Sequence, residues 1–124
     1  NGDVDTTEKV KSVKERYGID GVMIGRGAIG NPWIFKEIKN YLKTNTFLEK
    51  PNIQERVDVC KQHLKHSITW KGERVGIAEM KRHYSSYFKA IPDFKQFRTR
   101  MVTSNSEAEV LEILNEVQNK FILY

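Results

Sequence analysis

The hydrophobic residues of this chain are spaced for helices along most of its length, with one short strand near the start. Val10, Val13 and Tyr17 recur at intervals of three and four, which predicts a helix that ends at Gly18. Residues 19–24, which finish with three consecutive apolar side chains, predict a buried strand. A helix that leads directly into a strand is a step of the kind that an α/β barrel requires.

A glycine-rich turn follows this strand and leads into a second predicted helix at residues 32–43, which Asn31 is placed to cap. Glycine allows backbone N–H groups to approach an anion closely, and a helix N-terminus adds favourable partial charge. Arg26, next to Gly25, can add a charge-assisted hydrogen bond. The segment therefore predicts either a phosphate-binding site or simply a tight connection between strand and helix. The apolar stripe of the helix consists of Ile34, Phe35, Ile38 and Leu42.

Beyond a predicted linker at residues 44–52, every segment has helical spacing, and four amphipathic helices are expected. Gly72 is expected to end the first, residues 73–89 form the second, and a short third follows. Ser106 and Glu109 have the spacing of a capping box at the start of the last. Four such helices indicate a small antiparallel bundle. The predicted buried faces are Ile53, Val57, Cys60, Leu64 and Ile68; Ile77, Met80, Tyr84, Tyr87 and Phe88; Phe94, Phe97 and Met101; and Val110, Ile113, Leu114, Val117 and Phe121.

The formal net charge of +5 is unevenly distributed along the chain. Residues 71–100 carry eight Lys and Arg against three Asp and Glu, whereas residues 101–124 carry one against four. This distribution predicts either a polyanion-binding surface in the third quarter of the chain or well-solvated helix faces. The sequence has no run of about 18 apolar residues and no signal-peptide pattern, so we expect a cytoplasmic protein that does not enter the membrane.

Cys60 is the single cysteine, which excludes an internal disulfide and a multi-cysteine zinc site. Because it falls in the apolar stripe of a helix, we interpret it as a buried, unreactive thiol rather than a nucleophile or proton donor. His63 and His66 are three residues apart, which suits a metal on a helix, but no third ligand lies nearby in sequence. We therefore predict no metal site and no catalytic residue in this chain.

The basic segment carries the residues best suited to bind RNA. Phosphate groups need cations on a rigid surface, and RNA bases stack on exposed aromatic or guanidinium planes. Trp70, Tyr84 and Phe88 are candidate stacking platforms, although Tyr84 and Phe88 fit the bundle core better. Lys81, Arg82, His83, Lys89 and Arg98 are the candidate contacts to a polyanion, and it is the family resemblance described next that assigns them to RNA.

Four stretches of the sequence resemble the tRNA-dihydrouridine synthase family. They are GVMIGRGAIGNPWIF at residues 21–35, NGDV at residues 1–4, MKRH at residues 80–83 and YFK at residues 87–89. The first is similar to the last barrel strand of that family and the second to the end of its seventh strand. The other two are similar to a basic-aromatic segment of its helical domain.

The resemblance implies a mainly α fold in which a helical bundle follows the last βα elements of a TIM (β/α)8 barrel. Residues 1–43 would be the end of an FMN-binding barrel, residues 44–52 a linker, and residues 53–124 a helical tRNA-binding domain. A chain of 124 residues is too short for a whole barrel of roughly 200–250 residues. With this orphaned strand, residues 1–43 are expected either to be mobile or to pair between chains at high concentration.

The resemblance also implies an enzyme that reduces uridine to 5,6-dihydrouridine in tRNA, with NAD(P)H reducing the flavin and the basic segment docking tRNA. The family's catalytic cysteine, which protonates the base, lies on an earlier barrel loop that this chain lacks, so the chain alone is expected to be inactive. Two alternatives remain: another FMN-binding TIM-barrel oxidoreductase of a small molecule, and a non-catalytic helical module that binds nucleic acid or protein. By resemblance, FMN is held by Asn1, Gly2, Asp3, Gly25 and Arg26.

Overall fold

A computed structural model of the chain describes Ile29 and residues 31–124. The chain divides into two compact units between Lys50 and Pro51. The described residues are helical and contain no strand, in agreement with a mainly α fold. The predicted strand at residues 19–24, its expected pairing between chains and the five residues assigned to FMN lie outside the described residues. Within the described part, no helix is long and apolar enough to cross a membrane.

The described part of the first unit contains one helix, α1 (Ile34–Thr44). The helix begins two residues later than predicted. The predicted cap at Asn31 is wrong, because the N-cap residue is Trp33 and makes no side-chain cap hydrogen bond. Asn31 contributes its backbone carbonyl, which accepts a hydrogen bond from the Ile34 N–H at 3.2 Å. The predicted apolar stripe is only half right. Ile34 and Ile38 are buried, but Phe35 and Leu42 are 49% and 40% exposed. The buried face is narrower than the stripe because it follows a single i, i+4 row of the helix.

Residues 45–50 of the predicted linker fold back along α1. Asn45 adopts a left-handed conformation, with φ of 58°, and its N–H donates to the Tyr41 carbonyl at 2.7 Å. The Phe47 ring lies 5.0 Å from the Tyr41 ring, between centroids. Lys50 Nζ then pairs with Glu37 Oε2 at 2.9 Å. These contacts tie the segment to the helix that precedes it.

The second unit is a bundle of helices that share one core. Helix α2 packs against α3, α4 and α6, and α5 packs against α4 and α6. The predicted buried faces are confirmed, apart from Ile68, which is only half-buried. The helices are α2 (Ile53–Lys71), α3 (Glu73–Met80), α4 (Tyr84–Tyr87), α5 (Lys95–Thr103) and α6 (Glu107–Lys120).

Two side-chain caps and one glycine define helix ends in the bundle. The Ser106 hydroxyl accepts a hydrogen bond from the Glu109 N–H at 3.3 Å, which confirms the predicted cap of α6. Asn52 caps α2 in the same way, accepting from the Glu55 N–H at 2.9 Å, although the sequence pattern did not indicate it. Gly72 has φ of +85°, a region that glycine enters without steric cost, and it joins α2 directly to α3. The prediction that Gly72 ends the first helix is therefore confirmed.

The predicted continuous helix at residues 73–89 is wrong, because a turn at residues 81–83 divides it into α3 and α4. The His83 N–H donates to the Met80 carbonyl at 2.9 Å, an i to i−3 bond that tightens the chain there. After this turn α4 contacts both α2 and α5. Met80 and Tyr84 are four apart and both buried, so the turn keeps the helical phase of the apolar positions. Periodicity therefore could not reveal the break.

Gly76 lies where α3 approaches the backbone of α2. A Cβ atom at this position would come within 2.8 Å of Ile68 Cα and of the Ser67 carbonyl carbon. Backbone atoms cannot move aside by changing rotamer, so we expect Gly76→Ala to lower the free energy of unfolding by roughly 1–3 kcal/mol. Urea denaturation measures this directly. Val75→Ala, at an exposed position of the same helix, is the control and should change stability by less than about 0.5 kcal/mol. Equal stability of the Gly76→Ala variant and the wild type would contradict the close approach.

Candidate nucleic-acid interface

Three of the predicted RNA-binding residues lie in the turn between α3 and α4, rather than on a helix surface. Lys81 is half-buried, and its Nζ donates to Asn105 Oδ1 at 3.3 Å, which links the turn to the loop between α5 and α6. Arg82 is exposed. His83 is half-buried and packs edge-on against His63, with 4.5 Å between ring centroids. The turn therefore presents Arg82 most openly to solvent.

Burial disfavours the charged form of both histidines of this pair. Burial lowers the pKa of His83 to about 4, and the nearby charges of His63 and Arg82 act in the same direction against a weaker opposing effect of Glu79. Burial also lowers the pKa of His63, with His66 and Arg82 adding to the effect. His63 Nδ1 shares a hydrogen bond of 2.9 Å with the Tyr87 hydroxyl. At neutral pH His83 therefore adds no positive charge to the turn.

The pair predicts a loss of stability in mild acid. Between pH 7 and 5 the unfolded chain takes up protons on histidines of pKa about 6.5, while the folded chain resists protonation of His63 and His83. Unfolding is then coupled to proton uptake, so stability falls as the pH falls. Because the rings are partly exposed, we expect a loss on the order of 1 kcal/mol rather than the full value of the shifts. Urea denaturation at pH 7, 6 and 5 measures it, and His83→Gln should flatten the dependence. A wild-type stability that does not change over this range would contradict the assignment.

A second set of cations surrounds an open groove of about 520 Å³ at the start of α5. Lys89, Lys95 and Arg98 are all exposed and all line it, whereas Asp93 is the one acidic residue in its lining. The remaining lining residues are Ser85, Phe88, Ala90, Ile91 and Phe94. The fold thus brings together Lys89 and Arg98, which the sequence analysis selected separately. The cations of the turn at residues 81–83 do not line this groove.

Arg56 of α2 holds the loop that forms one wall of the groove. Its Nη1 donates to the Lys89 carbonyl at 3.0 Å and its Nε to the Pro51 carbonyl at 3.1 Å. The same loop contains Ala90 and Asp93, both with φ near +60°, a conformation that side-chain-bearing residues rarely adopt. A guanidinium that bonds two carbonyls therefore helps to fix an unusual backbone path.

Two other cations of the basic segment are neutralised within the fold. Arg100 forms a two-point ion pair with Glu116 of α6, with Nη2 to Oε2 at 2.6 Å. Lys71 pairs with Glu79 at 2.8 Å. In contrast, within the part of the chain that the structure describes, Arg82, Lys89, Lys95 and Arg98 make no ion pair. Within residues 71–100, the cations that make no ion pair in the described structure lie at the turn, at the groove and, in the case of exposed Arg74, on α3. Exposed lysines without an ion pair also occur on α1.

The aromatic candidates separate cleanly by exposure. Trp70 is 86% exposed at the end of α2, whereas Tyr84 and Phe88 are 0% and 3% exposed and belong to the core. Of these three candidates, Trp70 alone remains available to stack on a base.

Cys60 is fully buried, and burial raises the pKa of its thiol to about 12, so the thiol is neither a nucleophile nor a proton donor. No group of three or more His, Cys, Asp or Glu residues in the described part of the chain is placed to hold a metal ion.

Comparison with known proteins identifies the family. The sequence model described as dihydrouridine synthase (Dus) matches residues 1–122. The chain belongs to the dihydrouridine synthase family. It is 34% identical to a probable tRNA-dihydrouridine synthase of Rickettsia conorii over 94% of this chain and 35% of the relative. It is 38% identical to tRNA-dihydrouridine synthase B of Pseudomonas putida over 81% of this chain and 30% of the relative, and 38% identical to the Shewanella oneidensis enzyme of the same name over 88% and 34%.

The chain thus spans about a third of the length of these dihydrouridine synthases.

Two residues of the candidate interface were not predicted from the sequence. Neither Lys95 nor Arg56 was among the residues selected from the sequence. Arg56 and the Lys89 carbonyl are 33 positions apart, so no short-range pattern links them.

Proposed function

We propose that this chain is the C-terminal part of an FMN-dependent tRNA-dihydrouridine synthase and that its helical unit docks tRNA. The match of the family sequence model over residues 1–122 carries the proposal. The charge of residues 71–100 supports it, because this segment carries eight Lys and Arg against three Asp and Glu, and its Arg82, Lys89, Lys95 and Arg98 make no ion pair in the described structure. An enzyme that acts on a base within folded RNA must extract that base from its stack, so a rigid unit that grips the RNA body has a clear role.

In this proposal residues 1–43 complete the flavin barrel and residues 53–124 form the RNA-binding domain. Asn1, Gly2, Asp3, Gly25 and Arg26 are carried as the proposed FMN residues, with Gly25 and Arg26 at the phosphate. When bound, the flavin supplies hydride-transfer chemistry, and NAD(P)H is the proposed source of the electrons. The buried Cys60 thiol is unsuited to donate a proton, so the proposed acid lies in the rest of the parent enzyme.

The work of this chain's own residues is then to bind and orient RNA. The groove cations, Lys81 and Arg82 attract phosphate groups. The contacts of Lys81 with Asn105 and of His83 with His63 hold the turn in place. Phosphate contacts fix position without reading sequence. We therefore propose a shape-led grip by a cytoplasmic enzyme, with the choice of uridine made elsewhere in the parent.

The test uses the intact parent protein. We expect flavin absorbance after purification and NAD(P)H-dependent formation of dihydrouridine in an unmodified tRNA transcript. Flavin absorbance without tRNA binding would contradict this proposal and would favour the alternative of a flavin oxidoreductase that acts on a small molecule. Binding of tRNA by a protein without flavin would replace it with a non-catalytic RNA-binding module.

A further inference from the structure

The groove beside α5 is lined by both apolar side chains and cations. Its volume of about 520 Å³ falls within the range of roughly 300–1,000 Å³ that is typical of small-ligand pockets. The Phe88 and Phe94 rings line it and stack on each other, with 4.8 Å between centroids and 20° between planes, and both rings belong mainly to the core. Ile91, half-buried, adds apolar surface at the side. Such a lining suits a ligand with an apolar or ring-shaped part as well as a charge.

The charged residues that line the groove favour the binding of an anion. Lys95 and Arg98 are three residues apart on α5 and therefore project from the same face of the helix. Lys89 reaches the groove from the loop. The neighbouring Arg100 does not line the groove and pairs with Glu116 instead. Three cations thus line one opening, with Asp93 as the single acidic residue in the lining.

Hydrogen bonds also fix the backbone of the residues that line the groove. Arg56 fixes the Lys89 carbonyl, and the Phe97 and Arg98 N–H groups both donate to the Phe94 carbonyl, at 3.0 and 3.1 Å. A site held in this way can bind without first ordering its loop, which lowers the entropic cost of binding.

We propose that this groove binds a single nucleotide unit of the RNA, with one phosphate shared by Lys89, Lys95 and Arg98 and the attached sugar or base against Ile91. The inference rests on the proposed tRNA docking and adds a discrete pocket to it. It differs from an even basic surface, on which each cation would meet a separate phosphate.

Salt dependence of tRNA binding distinguishes the two arrangements. Each neutralised phosphate contributes roughly 0.7–0.9 to the slope of log affinity against log salt. The triple variant Lys89→Ala, Lys95→Ala, Arg98→Ala of the intact protein should bind an unmodified tRNA transcript at least about tenfold more weakly. Its slope should fall by only about one unit, because the three cations share one phosphate. Lys36→Ala, Lys39→Ala, Lys43→Ala removes three exposed cations of α1 and is the matched control.

A second variant leaves every cation in place. Ile91→Glu puts a carboxylate at the side of the groove and should weaken tRNA binding as well, with an unchanged melting temperature showing that the variant folds. A fall of about three slope units in the triple variant would show three separate phosphate contacts and overturn the pocket. Unchanged binding by both groove variants, with wild-type tRNA binding intact, would overturn the pocket and leave the proposed function standing. A wild-type parent that does not bind tRNA would instead overturn the proposed function.

Discussion

Replacing Leu64 with alanine should destabilise the helical unit more than any other change considered for it. Leu64 is 0% exposed and lies in the middle of α2, the helix that packs against α3, α4 and α6. Alanine would remove buried apolar atoms and leave a cavity that the surrounding helices cannot fully close. A loss of roughly 2–5 kcal/mol in the free energy of unfolding is expected.

The measurement is urea denaturation of the variant and the wild type under the same conditions. Lys65→Ala, one position further along the same helix and exposed, is the matched control and should shift stability by less than about 0.5 kcal/mol. If Leu64→Ala changed stability no more than the control, α2 would not present this face to the core.

The buried faces of the bundle could be predicted because each helix is amphipathic along its own length. Val110, Ile113, Leu114 and Val117 recur at intervals of three and one, and all four are at most 1% exposed. The cap at Ser106 was also readable, since a capping box is a short local pattern. Features set by neighbours in sequence were therefore within reach.

Features that depend on residues far apart in sequence could not be predicted. The groove depends on Arg56 binding a carbonyl 33 positions away, and Arg100 is neutralised by a glutamate 16 positions away. From the sequence, Arg100 and Arg98 are equivalent cations of one helix, yet only Arg98 lines the groove. The state of His83 is likewise a tertiary effect, because its pKa is lowered by burial and by His63.

The central claim is that RNA docks at a defined surface of the helical unit. Lys81→Ala with Arg82→Ala removes two cations from the turn between α3 and α4. We expect this change to weaken binding of an unmodified tRNA transcript and to lower its salt slope by roughly 1–2 units, because each lost phosphate contact contributes 0.7–0.9. Arg82 is exposed and Lys81 donates only to Asn105 in the described structure, so stability should change by less than about 0.5 kcal/mol.

The decisive measurement compares this double variant with Lys36→Ala, Lys39→Ala, which removes two exposed cations from α1. Both are titrated with the tRNA transcript at several salt concentrations in the intact parent protein. A located docking surface predicts that the first pair weakens binding and flattens the salt dependence while the second leaves both almost unchanged. Equal weakening by the two pairs would show a diffuse attraction between a basic protein and a polyanion, and would contradict the docking role of the helical unit.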